Sequence, residues 1–511
     1  MQKQSFVRGT LILTASALIL RMLGFVNGML LTRLLGAEGI GLLMMAHPIL
    51  PLVITLTELG LPVAISKLVS EAEAQGDSAK VKQILSVSLT ITSVLSVILT
   101  LAAFLGAPYA AKLFLTDQRA YYAMLAITPI APIIAISAVL KGYFRGKQHM
   151  TTIALSEVIE NIIQLACIIG FVHLLLPYGV AYAAAGAMVS SVIGECAGLL
   201  YVFAMYLKVR GREKGRSSEG VQPQPARRTL QELLYIGLPT TGNGLIHSVY
   251  RAFLPMLITK SLILSGATTA AATKQYGLLF GCVFPLLFLP TFFTQSLTTA
   301  LIPAISEASA RRDGLLVHRR MDQAMRIALF VGAPGTLILF VWAEPLCTLL
   351  YHAPEAANLL KILAPVFFLH YFEAPLRAIL LGLGKAATAM WNVILTNLFE
   401  VPAIVIFASK LGIQGVAVGF GFGIVLQTLL NFSSISGTLG FNADIRHAVK
   451  AAFGVAVMAV CGMGTYELLQ RAGAGPVWDA AGAVSVALLA YAMALTVSGA
   501  FKRSELRRIW H

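Results

Sequence analysis

Long apolar runs recur along almost the whole chain, separated by short polar stretches. Each is close to the ~20 residues that a helix needs to cross the hydrocarbon core of a bilayer. They fall near residues 9–32, 39–60, 83–106, 120–140, 151–175, 179–206, 232–259, 276–302, 323–343, 357–382, 387–409, 412–433, 447–466 and 478–500. This pattern predicts an all-α, polytopic membrane protein of about 14 transmembrane helices. An even number places both termini on one side.

Composition removes the main rival. A soluble chain of 511 residues would be read as about three domains. Here hydrophobic residues make up 57% and charged residues 12%, against roughly 25% charged in soluble domains. Mean hydropathy is +0.80. So few charges cannot cover a water-soluble surface. The net charge of +15 would suggest nucleic acid in a soluble protein. In a membrane protein it reflects basic residues gathering in cytoplasmic loops, so no nucleic-acid partner is expected. With the N-terminus inside, 27 of the 38 basic residues fall on inner segments. Outer segments hold eight: Arg33, Lys112, Arg119, Lys260, Lys274, Lys361, Lys410 and Arg471. Arg21, Arg251 and Arg377 lie inside spans. Both termini are therefore expected in the cytoplasm. Lys3 and Arg8 precede the first apolar run without a small-residue cleavage site, which predicts a retained span rather than a removed signal peptide. The five cysteines are scattered and make neither a disulfide framework nor metal-ligand spacing, so no metal or cofactor is expected.

The longest polar stretch, 207–230, is rich in charge, Gly, Ser and Pro and reads as a cytoplasmic linker. A solvated tether and a segment resting on anionic lipid are both compatible with it. It divides the chain into an N-terminal six-helix lobe (1–206), a second six-helix lobe (231–433) and a two-helix pair with a tail (434–511). The halves share text. Leu61-Pro62-Val63-Ala64-Ile65-Ser66 follows span two, and Leu301-Ile302-Pro303-Ala304-Ile305-Ser306 follows span eight. Spans four and ten both exit through Gly-Lys, at Gly146-Lys147 and Gly384-Lys385. Positions six spans apart keep the same orientation, so the repeat is parallel. Paired six-helix lobes of this kind suit a transporter that rocks about a central site.

Polar residues inside spans mark candidate sites. Arg21 lies near the middle of span one, where a charge costs about 2.5–3.5 kcal/mol on insertion scales. It is either a fixed bidentate ligand for phosphate or half of an ion pair with Glu58 or Glu195. Arg251 occupies span seven, the counterpart of span one, and shares a helical stripe with Asn243 and His247. Arg251 is expected to reach the same cavity from the second lobe. Span five opens with Glu157, Glu160, Asn161 and Gln164 on one face, suited to a vestibule, a cation or structural hydrogen bonds. Span eleven carries Asn392, Thr396, Asn397 and Glu400, whose oxygens suit a dry Na⁺ site and equally suit helix packing. In span ten His370, Glu373 and Arg377 share a face, with a local Glu373–Arg377 pair expected.

No catalytic constellation is present. There is no phosphate-cradling Gly-Lys-Ser/Thr loop, and outer acids such as Glu344 and Glu355 lack supporting partners, so no enzyme is expected. A drug or organic-cation antiporter would place acidic residues at the cavity centre, where this chain carries Arg21.

Leu20-Arg21-Met22-Leu23-Gly24-Phe25-Val26-Asn27 resembles the first-span signature of polysaccharide exporters and lipid II flippases. These belong to the multidrug/oligosaccharidyl-lipid/polysaccharide exporter superfamily. Further resembling stretches are Arg8-Gly9-Thr10-Leu11-Ile12-Leu13, Gly60-Leu61-Pro62-Val63-Ala64-Ile65-Ser66-Lys67-Leu68-Val69, Ala272-Thr273-Lys274-Gln275-Tyr276-Gly277, Pro303-Ala304-Ile305-Ser306-Glu307-Ala308 and Ala343-Glu344-Pro345-Leu346. They reach to about span ten. The resemblance implies a fourteen-span fold and transport of an undecaprenyl-pyrophosphate glycan, for this branch a peptidoglycan precursor for the spore cortex. Membrane lipids and cell-wall synthesis proteins are the implied partners, and Na⁺ or H⁺ the implied coupling ion. Arg21 matches the first functional arginine of the lipid II flippase motif. Asn27 stands where those flippases carry a second arginine, and their span-two arginine has no match in 48–60. In the flippases the last two spans form a groove for the lipid tail, which implies the same for spans thirteen and fourteen.

Overall fold

A computed structural model describes residues 6–213, 225–440, 445–473 and 475–499; within the helices a few side chains, those of Asn243 and His247 among them, lie outside the description. Every regular element among the described residues is helical. Contacts divide the chain into two compact units. The first runs up to Lys260 and includes Thr268–Gly277; the second holds Ser261–Ala267 and everything from Leu278 onward.

In the first unit the helices are α1 (Phe6–Ala46), α2 (Ile49–Glu58), α3 (Leu61–Ala74), α4 (Ser78–Phe114), α5 (Tyr121–Ile127), α6 (Ile130–Gly146), α7 (Met150–Leu175), α8 (Val180–Glu213), α9 (Ala226–Leu264) and α10 (Thr269–Gly277). α9 crosses into the second unit only beyond Lys260. The second unit begins with a π-helical turn, Leu278–Val283. It continues with α11 (Phe284–Leu287), α12 (Thr291–Ala310), α13 (Gly314–Val341), α14 (Ala343–Tyr351), α15 (Ala357–Gly382), α16 (Ala386–Leu411), α17 (Ile413–Leu439), α18 (Ile445–Ala472) and α19 (Pro476–Val497).

The helices do not map one to one onto the 14 expected spans. Among the described residues 11 helices are long and apolar enough to cross a membrane, or 12 if the bent pair Thr269–Leu287 and Thr291–Ala310 is one span. The first two expected spans run together, and the break between them shrinks to one non-helical residue, Gly36 (φ 67, ψ 176). α9, the expected seventh span, is not among the 11. The polar positions that single it out also dilute its hydropathy. The linker is shorter than its composition suggested, because α8 continues to Glu213 and α9 starts at Ala226.

Each unit has its own apolar core. In the first, Leu61, Ile65 and Val69 of α3 meet Leu140, Tyr143 and Phe144 of α6 and Val202 of α8. In the second, Leu301 and Ile305 of α12 meet Leu376, Ile379 and Leu380 of α15 and Met321 of α13. α18 and α19 join the second unit through another cluster: Phe330 and Trp342 pack with Met458, Ala483, Ala487 and Tyr491. The Tyr491 hydroxyl donates to the Phe330 carbonyl at 3.2 Å.

The repeat read from the text recurs in the packing. A Cβ at Gly142 would lie 3.0 Å from the Pro62 carbonyl and 3.5 Å from Ile65; one at Gly382 would lie 3.1 Å from the Ile302 carbonyl and 2.7 Å from Ile305. All three pairs of positions are about 240 apart, a spacing at which α6 crosses α3 as α15 crosses α12. Both α3 and α12 end in the same turn. The Asp77 N–H donates to the Ala72 carbonyl at 2.9 Å and the Asp313 N–H to the Ala308 carbonyl at 3.0 Å. Each aspartate then caps the next helix, accepting from the Lys80 N–H at 2.8 Å and the Leu316 N–H at 2.9 Å. These caps are about 236 apart, so α12 stops about one helical turn earlier than α3 does. The exits of α6 and α15 show the same shift. His149 N–H to Phe144 carbonyl (2.9 Å) matches Lys385 N–H to Leu380 carbonyl (2.8 Å). Gln148 (φ 59) therefore corresponds to Gly384 (φ 74), and the Gly-Lys pairing read from the text moves by two residues.

Candidate functional site

Arg21 sits half-buried on α1 and is engaged by a neighbouring group. Six residues on, Asn27 is also half-buried, and its side-chain oxygen is shielded from solvent without a hydrogen-bond partner. A buried carbonyl oxygen left unpaired costs about 1–3 kcal/mol, so this position is set up to accept a donor. Arg251 is exposed on α9, and it belongs to the first unit. The sequence assigns α9 to the second lobe, whereas in the structure α9 packs with the first unit up to Lys260. One tie is the 3.0 Å contact between the hydroxyls of Thr55 on α2 and Ser248 on α9. Asn243 and His247 lie on the same helix, with side chains outside the described residues.

The polar face of α7 divides into two parts. The Asn161 amide donates to the Glu157 carbonyl at 2.8 Å, and the Gln164 amide donates to the Ser191 hydroxyl on α8 at 2.8 Å. Glu160 instead faces the Lys141 ammonium of α6 at 3.5 Å, and Lys141 reaches Glu195 of α8 at 3.9 Å. Glu58, at the end of α2, lies within electrostatic reach of both Lys141 and Glu195. Glu195 is 8% exposed and Lys141 16%, so charges here are poorly hydrated. Gly194 and Gly198 let α8 approach, for a Cβ on Gly198 would lie 3.3 Å from the Glu160 carboxylate. Lys141 reads from the sequence as an inner-loop charge; the structure places it within α6, ringed by three carboxyl groups. The signal that could have found it is the coincidence of one lysine and three glutamates, each in the inner half of its span or just past its inner end.

In the second unit Glu400 of α16 lies about 240 positions beyond Glu160. It too packs on a glycine of the following helix: a Cβ at Gly423 would lie 2.9 Å from its carboxylate oxygen. Along the same face the Asn392 amide donates to the Asn431 carbonyl oxygen (2.9 Å) and the Ser434 hydroxyl (3.1 Å). The Thr396 hydroxyl and the Asn431 amide nitrogen are buried without partners. Asn397 is half-buried. Much of this oxygen set is thus engaged in joining α16 to α17. In α15 the ion pair differs from the expected one. The His370 ring reaches Glu373 at 2.8 Å, while Arg377 is exposed and acts on Glu373 through its charge. No group of three His, Cys, Asp or Glu able to hold a metal occurs among the described residues.

A second charged cluster, missed in the sequence, closes the other end of the first unit. Arg119 grips Asp117 (2.7 Å) and Glu38 of α1 (2.6 Å), and the Thr273 hydroxyl of α10 donates to Asp117 at 3.0 Å. Burial works to raise the Asp117 carboxyl. The hydrogen bonds from Arg119 and Thr273, with the arginine charge, outweigh it and hold the group below its ordinary value.

The chain matches the model of the family described as "Polysaccharide biosynthesis protein" over residues 6–309, and that described as "MatE" over 279–406. It is similar to "Stage V sporulation protein B" of Bacillus subtilis (strain 168), 44% identical over 513 aligned residues that cover 100% of this chain and 98% of the relative. The similarity therefore extends well past span ten. "Lipid II flippase MurJ" of the same organism is 23% identical, covering 86% of this chain and 84% of the relative. In fold it resembles a solved "Lipid II flippase MurJ, inward closed conformation" with TM-score 0.71 and 14% identity, covering 95% of this chain and 98% of that one. A solved inward-facing "multidrug resistance MATE family transporter of the MOP superfamily" gives TM-score 0.65 at 17% identity, covering 82% and 94%. The named activities among these relatives are those of transporters and a flippase rather than of enzymes. The chain belongs to the polysaccharide biosynthesis protein family.

Proposed function

We propose that the protein is a flippase that moves an undecaprenyl-pyrophosphate-linked glycan outward across the bacterial cytoplasmic membrane by alternating access. Its cargo is a peptidoglycan precursor for the spore cortex. The observation that carries this reading is Arg21, a half-buried arginine in the first span of a full-length relative of a sporulation protein. A pyrophosphate headgroup needs a cation where water is scarce, and an arginine fork suits it. Asn27, with its unpaired buried oxygen, supplies an acceptor for a headgroup hydroxyl or amide. Arg251, with Asn243 and His247 on the same stripe, adds a second cation. Two parallel six-helix lobes, an additional pair and cytoplasmic termini complete the reading, and cell-wall synthesis proteins are its partners. The membrane potential already favours outward movement of an anion by about 2.3 kcal/mol per charge per 100 mV.

The coupling ion in this reading is a monovalent cation, H⁺ or Na⁺. Three carboxyl groups around the Lys141 ammonium leave this cluster with more acid than base. A bound proton or Na⁺ would restore the balance, and Glu160 is the group best placed to hold it. Asn392, Thr396, Asn397 and Glu400 form the second candidate. The same excess of carboxylate is the one observation that favours the alternative, a drug or organic-cation antiporter.

One experiment separates the two. Purified protein is offered an undecaprenyl-pyrophosphate muropeptide and a lipophilic cation in competition, and bound species are read by native mass spectrometry. The flippase reading expects the muropeptide lipid to be retained, and lost in Arg21→Ala with folding intact. Retention of the cation alone would replace it with the antiporter.

A further inference from the structure

The second unit contains a cavity of about 590 Å³ among the end of α13, helix α14, the start of α15 and the facing ends of α18 and α19. That volume falls in the range of small-molecule sites. Under the charge-based orientation the cavity opens at the extracytoplasmic ends of these helices. Its walls are of two kinds. Half-buried Tyr466 supplies aromatic surface over a buried Trp342, while Glu344, Lys361, Glu467 and Gln470 supply carboxylates, an ammonium and an amide.

The aromatic floor is held firmly. Trp342 is 1% exposed, and a Cβ on Gly462 would fall 2.5 Å from the far edge of its ring. α18 therefore presses its glycine directly against the indole. The polar groups are less confined: Glu344 and Glu467 are exposed, and Glu467 has only a loose 3.8 Å pair with Arg471.

Charge and polarity select among ligands. A polyprenyl tail would lie against two carboxylates and an ammonium and desolvate them without return. A phosphate would meet two carboxylates for one lysine. An organic cation would share the site with Lys361. A neutral sugar ring fits both walls, because its C–H face covers aromatic surface while its hydroxyls donate to Glu344 and Glu467 and accept from Lys361 and Gln470. We propose that this cavity is a saccharide-binding subsite at the outer face, distinct from Arg21. Resting on the flippase reading, it receives the sugar portion of the cargo as the headgroup leaves the membrane.

The test uses the full-length protein in lipid nanodiscs and a soluble β-1,4-linked N-acetylglucosamine disaccharide, with binding followed by calorimetry. Wild type is expected to bind it saturably. Gln470→Ala and Tyr466→Ala should weaken binding by at least about tenfold, the loss of one good contact. Glu344→Gln, on an exposed side chain, serves where Tyr466→Ala fails to fold. Arg21→Ala should leave disaccharide binding unchanged. No saturable binding in wild type overturns the subsite. So does binding that survives Gln470→Ala and Glu344→Gln, or that falls instead with Arg21→Ala, and either result leaves the flippase reading standing. Disaccharide binding lost in Gln470→Ala, in a protein that fails to retain the lipid-linked muropeptide, would uphold the subsite and overturn the flippase.

Discussion

Lys141 shows how much one side chain can carry. It stands among Glu160, Glu195 and Glu58 in a poorly hydrated part of the first unit. Replacing it by methionine would leave like charges facing one another without compensation. Breaking a fully buried pair costs about 3–5 kcal/mol; at 3.5–3.9 Å and 16% exposure the loss for Lys141→Met should be smaller, roughly 2 kcal/mol. Adding Glu195→Gln should recover part of that loss, because it removes one of the charges left behind. Thermal unfolding of the single and double variants in nanodiscs measures both. A double variant no more stable than Lys141→Met would separate Glu195 from the cluster. The sequence marked Glu160 as a candidate but assigned Lys141 to a loop, since one helical turn decides between water and the span.

At the scale of helices, each half packs internally through a glycine at a matching position. A Cβ on Gly382 would fall 2.7 Å from Ile305, within α12, whereas one on Gly142 would clear Ile65 by 3.5 Å and crowd the Pro62 carbonyl at 3.0 Å. Gly→Ala gains up to about 1 kcal/mol of helix propensity, and overpacking costs about 1–3 kcal/mol. Gly382→Ala should therefore destabilise by about 1–2 kcal/mol, and Gly142→Ala by less, up to about 1 kcal/mol. Gly170→Ala, with nothing within 4 Å of the new methyl, should be neutral or stabilising. Chemical or thermal melts of the three variants rank them. The repeated text predicted that α3 and α12 would correspond. It misaligned the exits of α6 and α15 by two residues, because a left-handed turn accepts Gln148 in one half and Gly384 in the other. Such a cap is recognised by its hydrogen bonds rather than by its residues.

For the whole molecule, basic residues gather on one set of loops, and that asymmetry predicts orientation. Single cysteines in an otherwise cysteine-free chain test it. In intact cells a membrane-impermeant maleimide should label Tyr178→Cys, at the turn between α7 and α8, and spare Lys208→Cys near the end of α8. The reverse pattern would invert the topology and place the saccharide cavity on the cytoplasmic side. Membrane class and helical fold were legible along the chain, since hydropathy and charge bias are local sums that need no knowledge of partners, and the family was legible as a resemblance of short contiguous motifs. Arg21 was legible because a charge amid apolar neighbours stands out in one dimension, and Asn27 through the first-span motif that it shares. Tertiary structure alone decided which helices share a unit, and so moved Arg251 into the first. It likewise gathered four charged groups from α2, α6, α7 and α8, and brought Trp342 beneath residues of α18 more than 100 positions away. The physical reason is that burial and pairing depend on which faces meet, and a helix's sequence specifies its faces without naming their neighbours.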